Sequence, residues 1–180
     1  METLLTQLRE ATRKSHATLD AAFGSLDLLR KEDYARFLRG HAIGMASLFV
    51  PFRRFVESDL GMNCPDYLAM LATDLSALGP ADDRASLEPA GAVTPAAAGY
   101  VVAGSRLGLA MIRKQSYWGR DHGSPSAYME DDLGLAIWKE AATVLKARPA
   151  DTSHAEPRAA VVAFDTFRAA FAASALTAAG

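Results

Sequence analysis

The chain has 180 residues, half of them hydrophobic and 22% charged, which suits one domain with a sizeable core over residues 1–180. Its formal net charge of −2 gives no electrostatic case for nucleic acid or an anionic membrane surface. The single cysteine, Cys64, excludes an intrachain disulfide framework, an all-cysteine metal site and covalent attachment of a prosthetic group through Cys-x-x-Cys-His.

A reducing, cytoplasmic compartment is expected. The first residues lack the basic start and apolar core of a secretory signal. No stretch offers roughly eighteen uncharged apolar residues, so no membrane-crossing helix is expected.

Residues 2–23 read as an amphipathic helix. Leu5, Leu8, Thr12, His16, Leu19 and Phe23 recur at steps of three and four, and Gly24 is placed to end it. Residues 31–60 carry the same period through Tyr34, Phe37, Leu38, His41, Met45, Leu48, Phe52 and Val56. Pro51 predicts a kink or a break near residue 50, because it lacks the N–H that a helix interior uses. A third helix is expected over about 65–78, closed by Gly79-Pro80. Residues 79–93 carry no period and read as a loop.

Thr94 and Pro95 then open a helix as a cap and a first-turn proline, and Arg113 and Lys114 close it at the negative end of its dipole. This helix contains Gly99, Gly104 and Gly108. Each interior glycine costs about 1 kcal/mol relative to alanine. Three of them imply a need for bare backbone or for a bend. Residues 116–125 read as a second loop. Helices follow over about 131–147 and 155–176, and the small-residue tail is expected to fray. With no alternating strand pattern, the fold is expected to be all-α around one core.

His16 admits two readings: a core histidine bonded to a backbone carbonyl, or an axial haem ligand whose other ring nitrogen needs an acceptor. Asp20, one turn on, is placed to be that acceptor. His41 reads as structural, and His122 and His154 as solvated. Glu130-Asp131-Asp132 reads as a solvated first helical turn. Gly104-x-x-x-Gly108 permits close helix packing. No P-loop, dinucleotide fingerprint or nucleophile elbow surrounds these glycines. A histidine on one helix facing bare backbone on another would form a slot for a flat tetrapyrrole.

Leu8-Arg9-Glu10-Ala11-Thr12-Arg13-Lys14-Ser15-His16-Ala17-Thr18-Leu19-Asp20 resembles the proximal helix of the bacterial haem oxygenases, especially the type associated with bacteriophytochromes. Tyr100-Val101-Val102-Ala103-Gly104-Ser105-Arg106-Leu107-Gly108-Leu109 resembles their distal helix, commonly Tyr-Val-Leu-Glu-Gly-Ser-x-Leu-Gly-Gly. Tyr128-Met129, Trp138 and Phe164-x-x-Phe167 fit later landmarks, so the likeness spans nearly the whole chain.

The resemblance implies a single haem-oxygenase-like domain with haem b, both substrate and cofactor, between a proximal and a kinked distal helix. The implied reaction opens haem to biliverdin, carbon monoxide and ferrous iron. His16 would ligate the iron and Asp20 orient it. Gly104 and Gly108 would permit the kink, and Ser105 would help hold the waters that deliver protons. Arg9 would meet a propionate, with Arg113 and Lys139 as weaker candidates, and Tyr100 and Leu109 would line the site. No flavin or iron–sulfur motif is present, which implies an external electron donor such as a ferredoxin or flavoprotein reductase. A bacteriophytochrome is an implied acceptor of biliverdin.

Two positions depart from the pattern: Ala103 replaces the glutamate and Leu109 the second glycine of the pair. Leu109 is expected to narrow the oxygen pocket, tilt the haem or stiffen the kink. The alternatives are a non-catalytic haem- or bilin-binding relative and, more distantly, a helical protein with no tetrapyrrole.

Overall fold

The computed structural model describes residues 2–79 and 87–175. Seven α-helices stand among them: α1 Leu4–Gly24, α2 Lys31–Arg54, α3 Tyr67–Leu78, α4 Pro95–Lys114, α5 Trp118–Asp121, α6 Leu133–Ala147 and α7 Ala155–Ala173. No strand occurs among the described residues. The fold is all-α, as the periodicity implies. Part of the expected 79–93 loop, the expected helix end at Leu176 and the tail after it lie outside the described residues.

Local chemistry sets most boundaries. Thr3 accepts from the Thr6 N–H to open α1, Asp66 from Ala69 to open α3, and Thr94 from Ala97 to open α4. Asp131, just ahead of α6, accepts from both Leu133 and Gly134. The loop expected over 116–125 contains the single turn α5, too short to leave a periodic signal.

Pro51 does not break α2. The helix runs on to Arg54 and then widens into a π turn over Phe55–Asp59, where the Leu60 N–H reaches back to the Phe55 carbonyl at 3.1 Å. Phe49, Phe52, Phe55 and Val56 are buried on both sides of the proline. That burial outweighs the one hydrogen bond the proline removes.

The core lies between α2, α4 and α7, with α1 packed along α7, α3 along α2, and α6 along α4. Helix α4 runs as one α-helix through all three of its glycines. It is also the one helix among the described residues long and apolar enough, by length and composition, to cross a membrane, and 56% of that window is buried in the bundle. Its apolarity serves the core: Ala96 to Ala103 are all buried.

Only Gly99 is in α4 because a neighbour demands bare backbone. A Cβ there would stand 2.0 Å from the Phe55 ring. At Gly104 it would meet Trp138 at an ordinary 3.4 Å, and at Gly108 it would meet nothing within 4 Å. Close helix packing therefore does not account for Gly104 or Gly108.

Candidate functional site

Helix α1 places Thr12, His16 and Asp20 one turn apart on one line. Thr12 is buried, whereas the His16 and Asp20 side chains are 57% and 68% exposed. His16 Nδ1 lies 3.0 Å from Asp20 Oδ2. A carboxylate on Nδ1 holds the proton there and leaves the lone pair of the neutral ring on Nε2, the arrangement a metal-binding histidine needs. The ring also meets Phe164 of α7 edge-on, with centroids 5.5 Å apart. His16 is thus no buried histidine bonded to a carbonyl, and it sits at the margin of the apolar stripe rather than within it. Arg9, two turns earlier, is exposed and forms no ion pair among the described residues.

The neighbouring surface comes from α4, α6 and α7. The Tyr100 hydroxyl lies 3.3 Å from Thr12 Oγ1, and its ring packs 6.4 Å from Phe164 and 6.1 Å from Trp138. One turn beyond Tyr100 is Gly104, beneath Trp138, and another turn on is the exposed Gly108. Leu107 and Met111 share that face and are exposed. The stripe therefore combines bare backbone with uncovered apolar side chains. Ser105 is half-buried and donates to the Val102 carbonyl at 2.7 Å.

The structure brings His16, Asp20, Tyr100 and Gly104 into one linked set through Thr12, Phe164 and Trp138. Leu109 is buried and faces another side of α4, around a small pocket with Arg106, Ala110, Arg113, Met129, Asp131 and Leu135. Arg113 belongs there too, bonded to Asp132 Oδ1 at 3.1 Å and paired with Glu130 at 3.8 Å. Lys139 is exposed on α6 and forms no ion pair among the described residues. Ala103 is fully buried.

His41 is structural, as its place in the stripe implies, and His122 and His154 are exposed, as expected. His41 is buried, with Nδ1 2.9 Å from the Phe37 carbonyl, and burial depresses it from 6.5 to about 4. His122 stacks on Trp118 and bonds its carbonyl. His154 caps α7 in the left-handed region, at φ 56°, with its ring near the Gln7 amide.

The sequence reading of Glu130-Asp131-Asp132 as a solvated turn requires correction at Asp131. Its side chain is only 4% exposed and accepts from Tyr67 Oη, Gly134 N and Arg106 Nη2. Arg106 is itself buried, donates to the Tyr128 carbonyl at 2.7 Å and lies 4.7 Å from the ring centroids of both Tyr67 and Tyr128. Beneath it, Asp74 accepts from the Ala127 and Tyr128 N–H groups, and burial raises its carboxyl above the usual range. The missed signal is Arg106, a charge within an otherwise apolar helix, since such a charge needs a buried partner. Among the described residues, no group of three or more His, Cys, Asp or Glu side chains is placed to hold a metal ion.

The chain matches no known family model and no curated protein.

Proposed function

We propose that this chain is a haem oxygenase: it takes haem as substrate, ligates its iron through His16 and opens the ring to biliverdin, carbon monoxide and ferrous iron. The observation that carries the reading is the His16–Asp20 pair, exposed and oriented by a 3.0 Å contact, beside an aromatic wall that leads to the bare backbone of Gly104. The donor set fits the substrate: one imidazole, with its other nitrogen held by a carboxylate, is the ligation a five-coordinate haem uses.

Haem supplies the iron at which dioxygen is reduced, and an external donor such as a ferredoxin or flavoprotein reductase supplies the electrons. Asp20 holds the His16 ring in orientation. Arg9 and Lys139, both exposed and without ion pairs among the described residues, are the cations proposed to meet the propionates. Arg113 is already engaged by Glu130 and Asp132. Gly104 and Gly108 would present bare backbone to the haem, and Trp138 and Phe164 would supply apolar contact. Ser105 has spent its proton on Val102 but still accepts from water through its lone pairs. The reading places the reaction in the cytoplasm, with a bacteriophytochrome as biliverdin acceptor.

A second reading, a non-catalytic haem- or bilin-binding protein, draws on Ala103. It is fully buried and puts no carboxylate where the resemblance expects glutamate. One experiment separates the two. Purified protein is mixed with haemin, examined for a histidine-ligated spectrum, and then supplied with electrons while the Soret band is followed. Soret loss with formation of a biliverdin-like product supports turnover. A stable Soret leaves binding alone, and no spectral binding removes both.

A further inference from the structure

Thr12 and Tyr100 join helix α1 to helix α4. Helix α1 lies along α7, and α4 packs against α2, α6 and α7. The two helices meet where Thr12 Oγ1 and Tyr100 Oη stand 3.3 Å apart. The direction of this bond follows from proton counting. Thr12 has one hydroxyl proton, and it is donated to the Leu8 carbonyl at 2.7 Å. Thr12 is therefore the acceptor and Tyr100 the donor. The Tyr100 proton is then also spent, so Tyr100 does not serve as a donor to a carboxylate of the substrate while the bond stands.

The placement gives the bond its role. Thr12 sits one turn before His16 on α1, and Tyr100 one turn before Gly104 on α4. Phe164 from α7 stands edge-on to both the His16 and Tyr100 rings, at 5.5 and 6.4 Å. Both Thr12 and Tyr100 are buried, at 1% and 8% exposure, so water does not compete for the bond.

We infer that the Thr12–Tyr100 hydrogen bond is a positioning tie between α1 and α4, which fixes the separation of His16 from the Gly104 backbone and so pre-organises the two helices for a flat tetrapyrrole. This rests on the haem reading for its ligand, but the tie itself belongs to the unliganded protein. A pre-set gap spares the ligand the cost of ordering two helices. Neither residue touches the iron in this scheme.

The test is a double-mutant cycle with Thr12→Val and Tyr100→Phe, both near-isosteric, and Thr12→Ser as the conservative control. Haemin affinity is read by Soret titration, and unfolding midpoints are read on the unliganded proteins. Each single variant is expected to weaken haemin binding about fivefold, the worth of one hydrogen bond. The double variant is expected to bind no worse than the weaker single, and Thr12→Ser to bind as wild type.

Wild-type affinity in both single variants would overturn the tie, as would a double variant that loses the product of the two single effects. If wild type itself gives no histidine-ligated spectrum, the haem reading fails alone. The unfolding midpoints then decide the tie: non-additive losses uphold it and additive losses overturn it. Tyr100→Phe strands no buried donor, so it keeps the comparison usable if Thr12→Val fails to fold.

Discussion

His16 Nδ1 lies 3.0 Å from Asp20 Oδ2 across one turn of α1, and both side chains are more than half exposed. An exposed pair of this kind contributes only about 0.2–1 kcal/mol to folding. It therefore does little to hold the helix, and on the proposed reading its use is to orient the ring. His16→Ala is expected to leave the unfolding midpoint nearly unchanged while abolishing the histidine-ligated haemin spectrum. An unaltered spectrum in that variant would assign the ligand to another residue.

On the proposed haem-oxygenase reading, Asp20 would act one step back from the iron. Loss of a carboxylate that orients a ligating histidine typically costs about 10- to 100-fold in affinity. Asp20→Ala is accordingly expected to keep a histidine-ligated spectrum but to raise the haemin Kd within that range. Titration by absorbance measures this directly, and wild-type affinity would show the contact to be incidental.

Leu109 differs from the glycine that the resemblance expects, and its surroundings decide the effect of changing it. The side chain is 3% exposed and shares its pocket with Met129 and Leu135, away from the exposed Gly108 face. Leu109→Ala is expected to destabilise the fold by about 2–5 kcal/mol, the usual cost of a buried leucine truncation. Haemin affinity and any product isomer ratio should stay as in wild type. A variant of undiminished stability but altered isomer ratio would put the leucine at the haem after all.

Much of this molecule was legible in its residues because short-range rules set it. The Thr94-Pro95 start and the three-four recurrence of apolar side chains need no knowledge of the rest of the chain. What escaped depended on distant partners. Gly99 is bare because Phe55, far away in sequence, lies against it. Pro51 is tolerated because aromatic residues on both sides are buried by other helices. Asp131 looked solvated because only the fold reveals Arg106 and Tyr67 around it. The His16–Asp20 contact followed from helical spacing alone, but the exposure of His16 did not, since a stripe identifies a face and not its margin.

Arg106 and Asp131 form a buried ion pair at 3.3 Å, with both side chains under 5% exposed. Removal of one partner strands the other charge in the interior, at a cost of about 3–5 kcal/mol. Asp131→Asn also weakens the acceptor for Tyr67 and Gly134. Urea unfolding of Asp131→Asn should therefore show a loss within that range, with the slope against denaturant unchanged. A loss under about 1 kcal/mol would mean that water reaches the arginine.

His41 gives the fold a pH dependence of calculable sign. It is buried among Phe23, Phe37, Tyr128 and Phe167, and it is depressed from 6.5 to about 4, first by loss of water, then by the nearby Arg106 charge, against the opposing effect of its bond to the Phe37 carbonyl. The unfolded chain thus takes up the proton at higher pH than the folded one. The stabilisation is complete above pH 6.5 and is lost as pH falls through about 4, since protonation then favours the unfolded chain. A displacement of this size is worth on the order of 3 kcal/mol. Unfolding free energies at pH 7 and pH 4 should differ by about that amount more in wild type than in His41→Phe, whose ring suits the same aromatic surroundings and cannot take up a proton. Equal pH dependence in the two proteins would show that other groups govern the acid limb.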